Sequence, residues 1–189
     1  MMTDKRYGGE IERLRSPERV ALMEVDRVLE LALAGVTLKS VLDVGTGSGL
    51  WAEAFAQRGL SVTGVDVRED MLAAAQAFVP NATFKQGEME TLPFPDESFD
   101  LVFLGLVLHE ATGLATALRE MYRVANLRVV ALEWPYEVGE MGPPQDHRLR
   151  AEDVLREARA AGYAQAEHIQ LAHMALYRLD KRNLQPWCV

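Results

Sequence analysis

The sequence predicts an α/β protein built on a doubly wound, mostly parallel sheet of seven strands, with an antiparallel strand at its C-terminal edge and a helix capping it from the N-terminal side. Three observations predict it. Strand-like apolar runs alternate with helical patterns over short connections. The first strand runs into a glycine-rich turn, Gly45-Thr46-Gly47-Ser48-Gly49, that opens a helix. Two strand-like segments follow one another at the end of the chain with no helix between them. Strands separated by helical crossovers pair in parallel, whereas strands joined by a tight turn pair antiparallel.

The elements follow in order. Pro17 to Ala34 reads as one helix: the Ser16 hydroxyl can cap it, Pro17 fits a first position whose N–H is not needed, and Gly35 stops it. Val41-Leu42-Asp43-Val44 is the first strand, and Leu50, Trp51, Ala54 and Phe55 give the next helix its apolar face before Gly59 ends it. Ser61 to Val65 is a strand, Met71 to Phe78 a helix closed by Pro80-Asn81, and Thr83 to Lys85 a brief strand. Phe99 to Leu104 is continuously apolar, as a strand buried on both faces would be, apart from Asp100. Leu114, Leu118, Met121 and Ala125 mark a helix face, Arg128 to Leu132 a fifth strand, and Val154 to Ala161 a helix closed by Gly162. Glu167 to Leu171 and Met174 to Leu179 form the terminal hairpin.

Composition bounds the function. The chain has 189 residues, enough for one domain, read here as a cap over residues 1–37 and a core over 38–189. Its net charge of −8 disfavours nucleic acid and anionic lipid, and the densest basic stretch is Lys181-Arg182. The single cysteine, Cys188, excludes an internal disulfide and a cysteine-rich zinc site. The first ten residues are polar, and no run approaches the roughly 18 apolar residues of a membrane span. The expectation is a cytoplasmic protein, monomer or homodimer, without metal, nucleic acid or membrane partner.

Ligands of open α/β sheets bind beyond the carboxyl ends of the strands, where the glycine turn lies. Alternate glycines let the backbone turn tightly and approach a ligand with no Cβ in the way. A dinucleotide fingerprint requires a glycine or alanine three residues after the second glycine; here that residue is Leu50, and the third glycine, Gly49, comes one position early. Asp43 beside the turn suits a ligand with a positive end better than a pyrophosphate. Asp66, closing the second strand, can accept both hydroxyls of a ribose or serve as a turn or capping acid.

These residues resemble a known family. Val41 to Gly49 is similar to the first motif of class I S-adenosylmethionine (SAM)-dependent methyltransferases, which have a Rossmann-like fold, and Val65-Asp66 to their second-strand acid. Gly87-Glu88-Met89-Glu90, Leu92 to Asp96 and Ser98-Phe99-Asp100 resemble the stretch that brackets adenine and leads into the fourth strand. Leu108-His109-Glu110, Ala117 to Glu120 and Arg123-Val124 resemble the branch of the ubiquinone and menaquinone biosynthesis methyltransferases. The resemblance implies SAM as cofactor. Gly45, Thr46, Gly47 and Gly49 would line its methionine part, with Asp43 near the amino group and Asp66 on the ribose diol. Val67 would lie against adenine, Glu88 face its amino group, Met89 touch the ring, and Leu106 complete the site. Glu88 stands where aspartate is commoner, and its alternative role is a solvated carboxylate. Ala125-Asn126-Leu127-Arg128 replaces a longer, glycine-containing turn on the side of the sheet away from the site.

The methyl acceptor is expected beside the remaining carboxyl-edge loops. His109 is the candidate base; its alternative is a histidine packed under the loop. Trp134 is either the floor of a flat pocket or a core aromatic. Tyr136, His147 and Arg148 complete the candidate substrate pocket, where Arg148 either meets an anionic group or is a solvated side chain. Leu104 to Val107 lacks the amide or acid that amino-directed nucleic-acid methyltransferases use, and His109-Glu110 are adjacent rather than spaced for one metal. A small-molecule methyltransferase is the leading expectation, and a SAM-binding sensor or partner protein without catalysis is its rival.

Overall fold

The structure is a computed structural model that describes residues 9–139 and 141–183. Seven strands form one sheet: β1 (Ser40–Val44), β2 (Ser61–Asp66), β3 (Thr83–Gln86), β4 (Phe99–Gly105), β5 (Ala125–Glu133), β6 (Gln165–Gln170) and β7 (Ala175–Asp180). Their order is β3-β2-β1-β4-β5-β7-β6, with the first five parallel and β7 antiparallel to both its neighbours. The order reverses between β1 and β4, which opens a crevice at their carboxyl ends.

The antiparallel strand is not the edge strand that the sequence suggested. In β7, Ala175, Leu176, Tyr177 and Leu179 are buried, so it is inserted beside β5, and the more polar β6 takes the edge. An edge strand keeps one face in water and tolerates that polarity.

Helices cover both faces. α2 (Val25–Leu33) and α3 (Leu50–Gln57) pack with Trp51, Phe55 and Phe103 on one side. α5 (Leu114–Val124) and α6 (Ala151–Ala161) cover the other with Leu118, Met121, Val154 and Ala158. α4 (Glu69–Phe78) crosses from β2 to β3. No helix among the described residues is long and apolar enough to cross a membrane.

Two further expectations are corrected. The single helix over 17–34 is two, α1 (Pro17–Leu22) and α2, broken at Met23-Glu24, where Glu24 has φ of +46°. Met23 is buried at the break, and the Glu24 side chain accepts a hydrogen bond from the Ala172 N–H at 2.8 Å, so tertiary contacts direct the turn. The Ser16 hydroxyl does cap α1, accepting from the Arg19 N–H at 3.3 Å. At the other position, Ala125 to Arg128 is no loop: β5 begins at Ala125, whose N–H still closes α5 on the Met121 carbonyl. A buried ion pair secures this region. Arg128 spans both oxygens of Asp180, at 2.5 and 3.1 Å, and donates to the Ala32 carbonyl at 2.9 Å, fastening the end of α2 to the sheet.

Candidate active site

The glycine turn folds as its composition requires. Gly45, Gly47 and Gly49 have φ of +67°, +51° and +77°, a region that side chains disfavour, and a Cβ on Gly45 would stand 2.6 Å from Val107 Cγ2. The Thr46 N–H bonds the Val65 carbonyl at 2.9 Å, tying the turn to β2. Asp66 completes the tie: its two oxygens accept from the N–H groups of Gly47 at 2.9 Å and Arg68 at 3.0 Å.

Beneath the turn, Asp43 is fully buried and accepts from the Thr46 hydroxyl at 2.7 Å. Its other oxygen, Oδ1, has no hydrogen-bond partner among the described residues. Burial raises its pKa to about 7, against the opposing pull of the Thr46 hydroxyl.

Over the crevice lies a cavity of about 740 Å³. Of the residues singled out from sequence, Gly45, Gly47, Asp66, Val67, Glu88, Met89, Leu106, His109, Trp134 and His147 line it. Asp43, Thr46 and Gly49 lie behind this wall. Tyr136 and Arg148, expected in the substrate pocket, do not line it. Arg148 is buried and donates to the carbonyls of Pro135 at 3.1 Å, Met141 at 2.6 Å and Pro143 at 3.0 Å, so its charge shapes the loop from inside. Tyr136 faces outward and accepts a hydrogen bond from Arg150 at 3.0 Å.

The opposite end of the cavity has a buried pair whose connection no local sequence pattern reveals. His109 follows β4 in a short 3-10 turn (Leu108–Glu110), and Glu133 ends β5. One Glu133 oxygen accepts the His109 backbone N–H at 3.2 Å, and the other meets the imidazole Nδ1 at 2.8 Å. His109 is 7% exposed and Glu133 1%. Next to them Trp134 packs under Gly142, where a Cβ would stand 2.6 Å from the indole.

The turn ahead of α1 and the start of α1 itself reach the cavity. Arg13, Leu14, Ser16 and Arg19 line the cavity, whereas α2 packs on the sheet. Arg15 holds this segment down: it donates to the Ser48 carbonyl at 3.1 Å, pairs with Glu53 at 2.7 Å, and lies 3.8 Å above the Phe78 ring. No local pattern distinguishes this arginine in the sequence. Among the described residues no cluster of histidine, cysteine and acidic side chains could hold a metal ion.

A reversed-order parallel sheet, a glycine turn without side chains and an acid at the end of β2 define a Rossmann-like fold, with its crevice at the carboxyl ends of the strands where such sheets bind ligands. Residues 42–127 match the family described as a methyltransferase domain. A demethylmenaquinone methyltransferase of Renibacterium salmoninarum is 36% identical over 167 residues, which cover 85% of this chain and 69% of that protein. YcgJ of Bacillus subtilis, an uncharacterised methyltransferase, is 39% identical over 89 residues, 44% of this chain and 35% of its own length. The chain thus spans about a third of the first curated relatives it matches. A SAM-dependent methyltransferase from Aquifex aeolicus has the same fold, with a TM-score of 0.79 at 24% identity over 91% of this chain and 97% of that one. The chain belongs to the class I SAM-dependent methyltransferases, on their ubiquinone- and menaquinone-like branch.

Proposed function

We propose that the protein transfers the methyl group of SAM to a small-molecule acceptor. The observation that carries this reading is the continuity of the cavity, which runs from the glycine turn and Asp66 to His109 and Trp134 and so has room for a cofactor and an acceptor side by side. The residues present fit the cofactor. The glycine turn leaves a cradle that a Cβ would fill, and the buried, incompletely partnered Asp43 behind it offers negative charge to an ammonium group. Asp66 would hold the ribose diol, Val67 and Met89 would flank adenine, and Glu88 would face its amino group. When bound, SAM supplies an electrophilic methyl on a sulfonium, and the electron pair of the broken S–CH₃ bond stays on sulfur.

The chain's own work is to align the acceptor and exclude water, which can supply roughly 7–11 kcal/mol of barrier reduction. Trp134, His147 and the loop shaped by Arg148 would form the acceptor's walls, and the Glu12–Arg15 turn with the start of α1 (Ser16, Arg19) would close over them. His109 is the candidate proton acceptor. We read residues 1–189 as one domain working in the cytoplasm, as monomer or homodimer, with no nucleic-acid partner. Calorimetry tests the cofactor: SAM or S-adenosylhomocysteine should bind and raise the melting temperature, as any ligand of the native state does. Binding of NAD with no response to SAM at millimolar concentration would refute the proposal.

A further inference from the structure

We propose that Glu120 and Arg123 of α5, which do not line the cavity, are positioning residues that hold the loop between β3 and β4 in the form that takes the adenine end of SAM. This rests on the methyltransferase reading, which puts adenine against Met89, and it gives a crossover helix control of cofactor affinity.

The loop over residues 87–98 joins β3 to β4, and its first part, Gly87, Glu88, Met89 and Glu90, lines the cavity. Its backbone pairs with itself at an isolated bridge between Glu88 and Thr91, and other backbone groups find their partners on α5. Glu120 accepts the Leu92 N–H at 2.7 Å. Arg123 donates to the carbonyls of Leu92 at 3.1 Å and Phe94 at 2.8 Å. The same guanidinium meets both oxygens of Glu120, at 2.7 and 2.8 Å, and Asp96 at 2.8 Å. The Glu97 N–H returns to the Arg123 carbonyl at 2.8 Å. A planar fork of donors can span two carbonyls and two carboxylates at once, which an ammonium group cannot. The hydrogen bonds from Arg123 hold the Glu120 carboxyl below its ordinary range, so both partners are charged at neutral pH.

The clasp reaches the cavity through packing. A Cβ on Gly87 would stand 3.1 Å from Pro93 Cδ and 3.1 Å from Val65 Cγ1, so Pro93, between the two clasped residues, backs the wall where the loop enters the site. Leu92 is buried in one core with Met121 and Val124, and Met89 packs against that core. At the other margin Glu90 accepts the Thr112 N–H at 2.6 Å, and both of these residues line the cavity. A shift of Leu92 to Phe94 therefore moves Gly87 and the turn over 88–91 that follows it.

The clasp suits positioning better than overall stability. Arg123 is 33% exposed and Asp96 76%, and ion pairs so open to solvent contribute little to the stability of a fold. A loop that holds its binding form only part of the time lowers affinity in proportion to that fraction. Losing the clasp thus costs more in cofactor affinity than in resistance to unfolding.

The test is calorimetry on the full chain with S-adenosylhomocysteine, and by displacement with S-ribosylhomocysteine, which keeps the ribose and amino acid and lacks adenine. A wild type that does not bind S-adenosylhomocysteine would strike the methyltransferase reading itself. In Arg123→Met the affinity for S-adenosylhomocysteine should fall about tenfold or more. In Glu120→Gln, which can still accept the Leu92 N–H, it should fall about threefold or more. S-ribosylhomocysteine should bind both variants within about twofold of wild type, since its contacts lie away from the loop. S-adenosylhomocysteine bound by either folded variant as by wild type, or an equal loss for both ligands, would overturn the proposal. The wild type alone decides if neither variant folds. Coupling between sites is reciprocal, so S-adenosylhomocysteine should slow hydrogen exchange of the Arg123 Nε–H by about tenfold or more in NMR spectra. An exchange rate unchanged by the ligand would overturn the proposal.

Discussion

Replacing Asp43 by asparagine is expected to stabilise the ligand-free protein while weakening its grip on SAM. The carboxylate is fully buried, and its pKa rises from 3.8 to about 7. Between those values the native state keeps a proton that the unfolded chain has released, so this group's contribution to stability falls as pH rises through the window and is level above it. A rise of that size is worth about 4 kcal/mol, since a tenfold change in proton affinity is worth about 1.4 kcal/mol. Asparagine keeps the acceptor for the Thr46 hydroxyl but turns an amide donor toward the place where Oδ1 lacks a partner, which costs about 1–3 kcal/mol. The net gain at pH 8 is then about 1–3 kcal/mol, or an increase in Tm of a few to about ten degrees for a chain this long. Urea unfolding of both proteins from pH 4 to pH 8, without ligand, measures it. The difference between variant and wild type cancels the other titrating groups and should grow with pH by about 4 kcal/mol. Calorimetry with SAM should show the reverse preference, a loss of tenfold or more, because an ammonium group gains from the ionised Asp43. A difference that stays constant with pH, or a variant that binds SAM as wild type does, would refute the reasoning.

Other substitutions probe other parts of the site. Asp66→Ala removes the partner of the Gly47 and Arg68 N–H groups as well as the proposed ribose ligand; SAM affinity should fall about ten- to a hundredfold by calorimetry, since charged hydrogen bonds are worth roughly 1.5–3 kcal/mol. Gly45→Ala forces a Cβ against Val107 at a positive φ and should lower stability by about 1–3 kcal/mol in urea unfolding, with SAM binding impaired. Arg128→Met leaves Asp180 buried without its partner, so urea unfolding should show a loss of about 3–5 kcal/mol. Arg148→Ala frees three loop carbonyls and should leave SAM affinity within a few-fold while limited proteolysis between Pro135 and Pro144 accelerates.

What the sequence disclosed was whatever a short stretch determines alone. The unit from Val41 to Gln57 was legible because glycine spacing, the apolar strand and the helix that follows all constrain the same few residues. Asp66 was legible because it ends a strand whose parallel pairing with β1 brings it beside Gly47. The break at Glu24 was not, since the N–H that holds its side chain belongs to Ala172, 148 residues further on. The hairpin was visible, but which of its strands would sit inside was set by pairing with β5. Arg148 looked like a solvated or substrate-binding charge because its partners are carbonyls, which every residue has and no pattern marks. The contact between Glu133 and His109 joins the ends of two strands and exists only in the folded sheet.

The measurement that tests the central claim most directly is transfer of an isotopically labelled methyl group from SAM. Purified protein is incubated with labelled SAM and a small-molecule extract of cells, and the products are separated and identified by mass spectrometry. The account predicts a labelled small molecule whose formation depends on the protein and falls in Asp66→Ala when SAM is limiting. SAM bound tightly with its methyl transferred to nothing in the extract would contradict it and would mark the chain as a binding module.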